Sequence, residues 1–117
     1  MNLNSVLIGS EDPRPLVGYY TKLFGEPAGA EGDYTWWQLG TGGFTVAAHD
    51  QVKGRNAHPG RMIWNIETAD VKGDFEQLKA AGARVVQEPY NPGAAPEMWV
   101  ATFADPDEDY FQLVSPM

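Results

Sequence analysis

The feature that most constrains this chain is a helical segment that occurs twice with the same boundaries. The first helical pattern follows Asp12 and ends at Gly25, and the second follows Asp70 and ends at Gly82. Asp is a favoured N-cap residue, and Gly is the residue that most often ends a helix. Each helical pattern also follows one strand pattern and precedes several others. In a chain of 117 residues, this repeat predicts a single domain of two duplicated halves packed into one sheet.

The first half has strand patterns on both sides of its helix. Residues 3–9 alternate in polarity and predict an opening strand, and Pro13 suits the first position of the helix. After a connection rich in Gly, Ala and Pro, residues 34–39 and 44–49 favour two strands. The Gly-rich turn at residues 40–43 predicts that these two strands form a hairpin.

The second half begins after a polar linker at residues 51–60, which contains Gly, Pro and charged side chains. Strand patterns follow at residues 61–67 and 83–87, and then a Pro/Gly/Ala-rich loop at residues 89–96. The chain ends with a tight acidic turn, Asp105–Asp109, and a final strand. We predict one domain, residues 1–117, with module one at about 1–50, the linker at about 51–60 and module two at about 61–117.

The composition restricts the partners of the protein. A net charge of −8 would repel the phosphates of a nucleic acid, so we expect no nucleic-acid partner. No apolar run is long enough to span a membrane, so we expect no membrane partner. Cysteine is absent, so no disulfide can form. We expect a cytoplasmic protein. The negative charge favours a cationic small molecule as ligand, or it serves solubility alone.

Two motifs in the chain resemble the vicinal oxygen chelate superfamily, which includes glyoxalase I, extradiol dioxygenases and bleomycin-resistance proteins. The first motif is Val6–Asp12, followed by Tyr19-Tyr20 and by Leu23-Phe24-Gly25. The second is Asp105–Val114, which is similar to the Asp-Pro-Asp-Gly-Asn ending of the family. Here Glu108-Asp109 replaces Gly-Asn, so we expect a different turn conformation.

The resemblance covers essentially the whole chain and implies its fold class. The expected fold is α+β, with two βαβββ modules that form a half-open mixed β-sheet barrel around a cavity, with the helices outside. Single-domain members of this length commonly form homodimers, so the resemblance also implies a homodimer.

The resemblance further implies four positions for the ligands of a divalent metal. In this chain they fall at Ser5, at Ala47, at Arg61 or Ile63, and at Gln112. Only Gln112 has a side chain that could donate to a metal at these positions, because Ala and Ile carry no donor and Arg is a cation. We therefore expect no cofactor and no metal site. A two-residue shift would bring His49 to a ligand position beside Gln112, and that metal site remains the alternative.

The alternation of strand residues sorts side chains between a cavity face and a helix face. Val6, Ile8, Trp64, Phe111 and Leu113 are expected beneath the helices. Arg61 is either an anchor for a carboxylate or phenolate, or a surface residue at a strand end. Ten residues are predicted to contact a small-molecule ligand: Ser5, Leu7, Trp37, Ala47, His49, Arg61, Ile63, Asn65, Trp99 and Gln112.

Three functions are consistent with these residues. The first is a non-catalytic, metal-free protein that binds a small molecule, such as an aromatic or cationic drug, as in the antibiotic-resistance branch. The second is a metal-dependent lyase or dioxygenase of the glyoxalase type with a rearranged site that uses His49 and Gln112. The third is a metal-free lyase or isomerase, with His49 as general base or Tyr110 as general acid. We favour the first.

Overall fold

The computed structural model describes residues 1–93 and 95–116, so Ala94 of the predicted 89–96 loop lies outside the described residues. The chain divides into two compact units, Met1–Gly54 and Arg55–Met117, and the division falls within the 51–60 segment. Each unit contains one helix and four strands in the order βαβββ, which confirms the predicted α+β class and the two modules. Each module forms a four-stranded sheet of its own, so the expectation of one shared sheet is wrong.

Module one contains β1 and α1, and then three consecutive strands. The strands form one mixed sheet in the order β1-β4-β3-β2, in which β1 and β4 are parallel and the other pairs are antiparallel. Strand β2 lies in the segment that the sequence predicted as a connection. The element bounds are Val6–Ser10 for β1, Arg14–Phe24 for α1, Gly29–Glu31 for β2, Tyr34–Leu39 for β3 and Gly42–Ala48 for β4.

The two ends of α1 differ in how well they follow the sequence pattern. Pro13 rather than Asp12 is the N-cap residue, but the Asp12 carboxylate still accepts a hydrogen bond of 3.2 Å from the N–H of Arg14, the first residue of the helix. The Asp12 carboxylate also accepts hydrogen bonds from the guanidinium of Arg14, at 2.8 and 2.9 Å, and these bonds are the main reason that the pKa of Asp12 is lowered to about 2. At the other end, Gly25 has a φ of 86° and terminates the helix as predicted.

An aromatic cluster forms the core of module one on the side of the sheet that faces α1. Tyr20 of α1 is fully buried, and its ring packs edge-on against Phe44 of β4 with 4.9 Å between ring centroids. Trp37 of β3 stacks on Phe44 with 5.0 Å between ring centroids and 7° between ring planes. Ile8 and Val46 are paired on β1 and β4 and are buried on this same face.

Module two repeats the arrangement, with the sheet order β5-β8-β7-β6 and one parallel pair, β5 and β8. Its helix is capped as predicted, because the Asp70 carboxylate accepts a hydrogen bond of 3.0 Å from the Gly73 N–H. The element bounds are Ile63–Glu67 for β5, Val71–Ala80 for α2, Arg84–Tyr90 for β6, Val100–Ala104 for β7 and Tyr110–Val114 for β8.

A stack of three phenylalanine rings forms the core of module two beneath α2. Phe75 of α2 stacks on Phe103 of β7 with 5.4 Å between centroids, and Phe103 stacks on Phe111 of β8 with 5.3 Å. Trp64 of β5 contacts Phe111 from the other side. The predicted positions of Trp64 and Phe111 on the helix side of the sheet are therefore correct.

The acidic turn before β8 contains a residue other than Gly with a positive φ. Glu108 has a φ of 68°, the left-handed region that residues other than Gly seldom adopt. The Glu108 carboxylate pairs with the guanidinium of Arg84 and lies 3.9 Å from that of Arg55, and these ion pairs hold the strained residue in place. Among residues 1–93 and 95–116, no helix is long and apolar enough to cross a membrane.

Candidate functional site

The sheet of module one has a second face, which points away from α1. Strand pairing places Leu7 beside Thr45 and Gly9 beside Ala47 on this face. Leu7 is 53% exposed, whereas Ala47 is buried. The predicted orientations of Leu7 and Ala47 away from the helix are correct. Ser5 precedes the first strand and is exposed, so it does not lie on the sheet.

The two adjacent tryptophans of β3 lie the other way round from the prediction. Trp37 was expected to contact a ligand, but it is 3% exposed in the aromatic core beneath α1, and its Nε1–H donates to the carbonyl of Gly25 at 2.9 Å. Trp36, which the prediction left out, lies on the face opposite α1. Its ring covers Gly29 of β2 so closely that a Cβ at position 29 would overlap it. Trp36, with Tyr34 two residues earlier on the same strand, is therefore an exposed aromatic side chain of β3 that is available to a ligand.

His49 lies just after β4, beside an open cavity of about 430 Å³. Its N–H donates to the carbonyl of Ser10 at 2.9 Å, and its side chain contacts the backbone of Gly9, where an added Cβ would lie 3.0 Å from the His49 Cβ. The side chain is 45% exposed. The cavity is lined by His49 with Ala48, one lysine and three carboxylates: Glu11, Asp33, Asp50 and Lys53.

The hydrogen bonds of His49 determine what its ring can do. The backbone N–H of Gln51 donates to Nδ1 at 3.2 Å, so in the neutral ring the proton lies on Nε2. In this form Nδ1 is occupied and Nε2 is a donor, so neither nitrogen offers a lone pair to a metal or to a substrate proton. A metal or general-base role would require the loss of the bond from Gln51, which frees Nδ1 or allows the other tautomer with a free Nε2.

The sheet of module two carries a line of polar side chains on the face that points away from α2. Asn65 of β5 is paired with Gln112 of β8, Gln112 with Thr102 of β7, and Thr102 with Gln87 of β6. We call these four residues the polar row. The Nε2 of Gln112 donates to the Thr102 hydroxyl at 3.1 Å. Asn65 and Gln87 are exposed and Gln112 is half-buried, so the row is accessible at three of its four positions.

Of the remaining predicted residues of module two, some lie on the same sheet face as the polar row and others lie elsewhere. Ile63 and Tyr110 are paired next to the polar row on the same face. Trp99 precedes β7 and lies against α2, with the Nζ of Lys72 3.7 Å from its ring centroid, so its prediction as a residue of the cavity face is wrong. Arg61 is exposed and lies before β5 in a turn, where its N–H donates to the carbonyl of His58, so the predicted strand position is also wrong.

The positions that the family resemblance assigns to metal ligands do not fit a divalent metal. Ser5 lies outside the sheet, Ala47 and Ile63 have no donor atoms, and the Gln112 amide is neutral and bonded to Thr102. Within the described residues, no three His, Cys, Asp or Glu side chains are grouped so that they could hold a metal ion. The donor set therefore departs from the three or four converging oxygen and nitrogen ligands that such sites need.

The acidic turn positions the strand that carries Gln112. Asp105 is buried, and its Oδ1 accepts hydrogen bonds of 2.9 Å from the N–H groups of Asp107 and Asp109. The Asn56 side chain donates to the Asp109 carboxylate at 3.2 Å and ties the end of the linker to the turn. Burial raises the pKa of Asp109 because a partly buried carboxylate is poorly solvated.

Replacement of Asp109 by asparagine is expected to raise the free energy of unfolding at neutral pH. The folded-state pKa of Asp109 lies above its unfolded value, so the folded protein favours the protonated carboxyl group. The stability that this protonation contributes is fully present below the unfolded pKa and is lost as pH rises through the folded pKa. The introduced amide would keep an oxygen that accepts from Asn56. The stability difference between D109N and the wild type should shrink below about pH 4, as chemical denaturation from about pH 3 to 8 would reveal.

The matched control for this prediction is Asp33→Asn, which changes the net charge equally at an exposed position. A D109N effect no larger than that of D33N, or one independent of pH, would contradict the role of Asp109 burial.

Comparisons with known proteins agree with this architecture. The family model of the glyoxalase-like domain matches residues 5–114. Similar solved structures include a glyoxalase/bleomycin resistance protein/dioxygenase family enzyme from Burkholderia phytofirmans, at 17% identity with a TM-score of 0.76 and complete coverage of both chains. The fosfomycin resistance protein FosX from Listeria monocytogenes is similar at 17% identity with a TM-score of 0.70, over 100% of this chain and 94% of that one.

A glyoxalase-related enzyme from Fulvimarina pelagi is also similar, at 18% identity with a TM-score of 0.76, over 98% of this chain and 88% of that one. No curated protein sequence matches the chain. At such low identities the structural likeness shows the fold, whereas the family match extends over nearly all of the sequence. The chain therefore belongs to the glyoxalase-like family, within the vicinal oxygen chelate superfamily.

Proposed function

We propose that this protein binds an organic small molecule directly, without a metal ion. The observation that carries the proposal is the chemistry of the positions that the family resemblance assigns to metal ligands, which hold Ser5, Ala47, Arg61 or Ile63, and the neutral amide of Gln112. A divalent cation held by one amide oxygen would gain too little to offset its dehydration.

The surfaces that support binding are the sheet faces that point away from the helices. In module one, Leu7 and Trp36 offer exposed apolar and aromatic area. In module two, the polar row offers amide donors and acceptors beside Ile63 and Tyr110. Aromatic and aliphatic area supplies affinity for an organic ligand, and a few polar groups fix its orientation. The fosfomycin resistance protein among the similar structures is named for a small organic compound, which is consistent with a ligand of this size class.

Metal analysis and ligand screening together test the proposal. We expect the purified protein to contain substoichiometric nickel, zinc, iron and manganese, and we expect treatment with EDTA to leave both its melting temperature and its ligand affinities unchanged. Aromatic compounds of neutral, cationic and anionic character should be screened by tryptophan fluorescence and thermal shift. At least one class should quench or shift the emission of Trp36, and the response should be lost in Trp36→Phe.

Two results would overturn the proposal. Stoichiometric metal whose removal abolishes binding would favour the alternative of a metal-dependent lyase or dioxygenase with a rearranged site. A screen in which no compound changes the fluorescence or the melting temperature would remove the support for a binding protein.

A further inference from the structure

The polar row of module two has hydrogen-bonding capacity that the protein itself does not use. Gln112 donates one Nε2 hydrogen to the Thr102 hydroxyl, so its second Nε2 hydrogen and its Oε1 remain available for hydrogen bonds to a ligand. Among residues 1–93 and 95–116, the side chain of Asn65 makes no hydrogen bond, and it lies beside Gln112 on the neighbouring strand. Two primary amides therefore stand side by side, each with a donor and an acceptor available.

The row carries no formal charge, and most of its neighbours on the same face are apolar. Ile63, Tyr110 and Ala104 lie on one side of it, and Val100 and Val114 lie on the other, where Val114 is paired with the exposed Glu67 of β5. The nearest cationic side chain on this face is Arg84, paired with Ala104, and its guanidinium is held by Glu108. The row itself offers a charged ligand no opposite charge, and the Glu67 carboxylate is exposed to solvent on the edge strand β5, where an ion pair contributes little. A charged ligand would thus lose hydration with little compensation, whereas a neutral polar ligand would lose little.

We propose that the polar row binds the cis-amide group of a neutral, flat ligand, such as a lactam, an imide or a cyclic urea. A cis-amide presents an N–H and a C=O on one edge, which match the acceptor oxygen and the donor hydrogen of a primary amide side chain. The apolar residues on both sides of the row contact the rest of the ring system. This inference rests on the proposed function, because it specifies the ligand class for direct, metal-free binding.

The inference revises the ligand expected from net charge. The net charge of −8 suggested a cationic compound, but the polar row contains neither a carboxylate nor an ammonium group. Many of the acidic side chains of module two lie in the turn before β8 and on α2 instead: Asp105, Asp107, Glu108, Asp109, Asp74 and Glu76. Hydrogen-bond complementarity and not net charge therefore determines the preference.

A matched pair of probes tests the amide contact. The lactam 2-quinolone and the lactone coumarin have the same bicyclic shape, and they differ in whether a ring N–H or a ring oxygen stands beside the carbonyl. Tryptamine and indole-3-acetate provide a cation and an anion of similar size. We expect 2-quinolone to bind about tenfold more tightly than coumarin, because a buried acceptor that loses its donor is left unsatisfied. The side-chain amide signals of Asn65 and Gln112 should shift in NMR spectra with 2-quinolone.

Two substitutions remove the amides with little change of volume. Gln112→Met and Asn65→Leu should each reduce the preference for 2-quinolone over coumarin to about twofold or less. The control is Gln77→Met, which removes the same group from the exposed surface of α2 and should leave the preference unchanged. Because Asn65 is exposed, Asn65→Leu is expected to fold even where Gln112→Met does not.

The outcomes separate this inference from the proposed function. Equal affinity for the two bicyclic probes, or a preference that survives both substitutions, would overturn the amide contact while leaving small-molecule binding intact. Tighter binding of tryptamine or indole-3-acetate than of 2-quinolone would also overturn it. Failure of every probe to bind would count against both the inference and the proposed function.

Discussion

Replacement of Trp37 by alanine is expected to lower the free energy of unfolding by about 3–5 kcal/mol, which is the typical cost of truncating a buried aromatic side chain. The Trp37 ring stacks on Phe44, lies 6.1 Å from the ring of Tyr20, and donates its Nε1–H to the Gly25 carbonyl. The substitution would leave a cavity beneath α1 and an acceptor at the end of that helix without its donor. Urea denaturation followed by circular dichroism would measure the change.

The neighbouring residue supplies the control. Trp36→Ala removes the same side chain from the opposite face of the same strand, where the ring is 37% exposed. Its cost should be about 1 kcal/mol. If the two variants were equally destabilised, Trp37 would not be the core residue of this pair. If Trp37→Ala were stable but lost ligand binding, Trp37 would be the ligand contact that the sequence prediction made it.

This pair shows where sequence reasoning about the site stops. Alternation along a strand requires that adjacent tryptophans point to opposite faces, but it does not say which face receives the helix. That choice is made by tertiary packing: Trp37 pairs with Phe44, and both meet Tyr20 of α1. Predicting it would have required the register between β3 and β4 as well as the position of the helix. The sequence offered only the composition of each strand.

The overall architecture could be predicted more fully from the sequence, because helix ends are set by residues close together in the chain. Asp70 as an N-cap and Gly25 as a helix end depend on a few neighbouring residues, and both predictions are confirmed. Strand β2 was missed because it is three residues long and contains Gly, so it has no alternation to detect. The left-handed conformation of Glu108 was missed because the ion pair that holds it comes from Arg84, 24 residues earlier in the chain.

The polar row could not be derived from the sequence, although two of its members were recognised. The predicted site contained Asn65 and Gln112 but neither Thr102 nor Gln87. The row exists because four strands align these residues, and the pairing of β6 with β7 is irregular between Val85 and Gln87. Such a bulge shifts which side chains face the same side of the sheet, and periodicity alone does not reveal it.

Phe111→Ala is expected to destabilise the protein by about 3–5 kcal/mol, because Phe111 joins both neighbouring strands of its sheet in one aromatic stack. Its ring is fully buried between Phe103, at 5.3 Å, and Trp64, at 5.1 Å. Tyr110→Ala, one residue earlier and on the other face, removes a half-buried ring and should cost about 1 kcal/mol. Thermal and urea unfolding would rank the variants. The opposite ranking would mean that the last strand is held by the face that carries Gln112, and the assignment of that face to ligand binding would then be wrong.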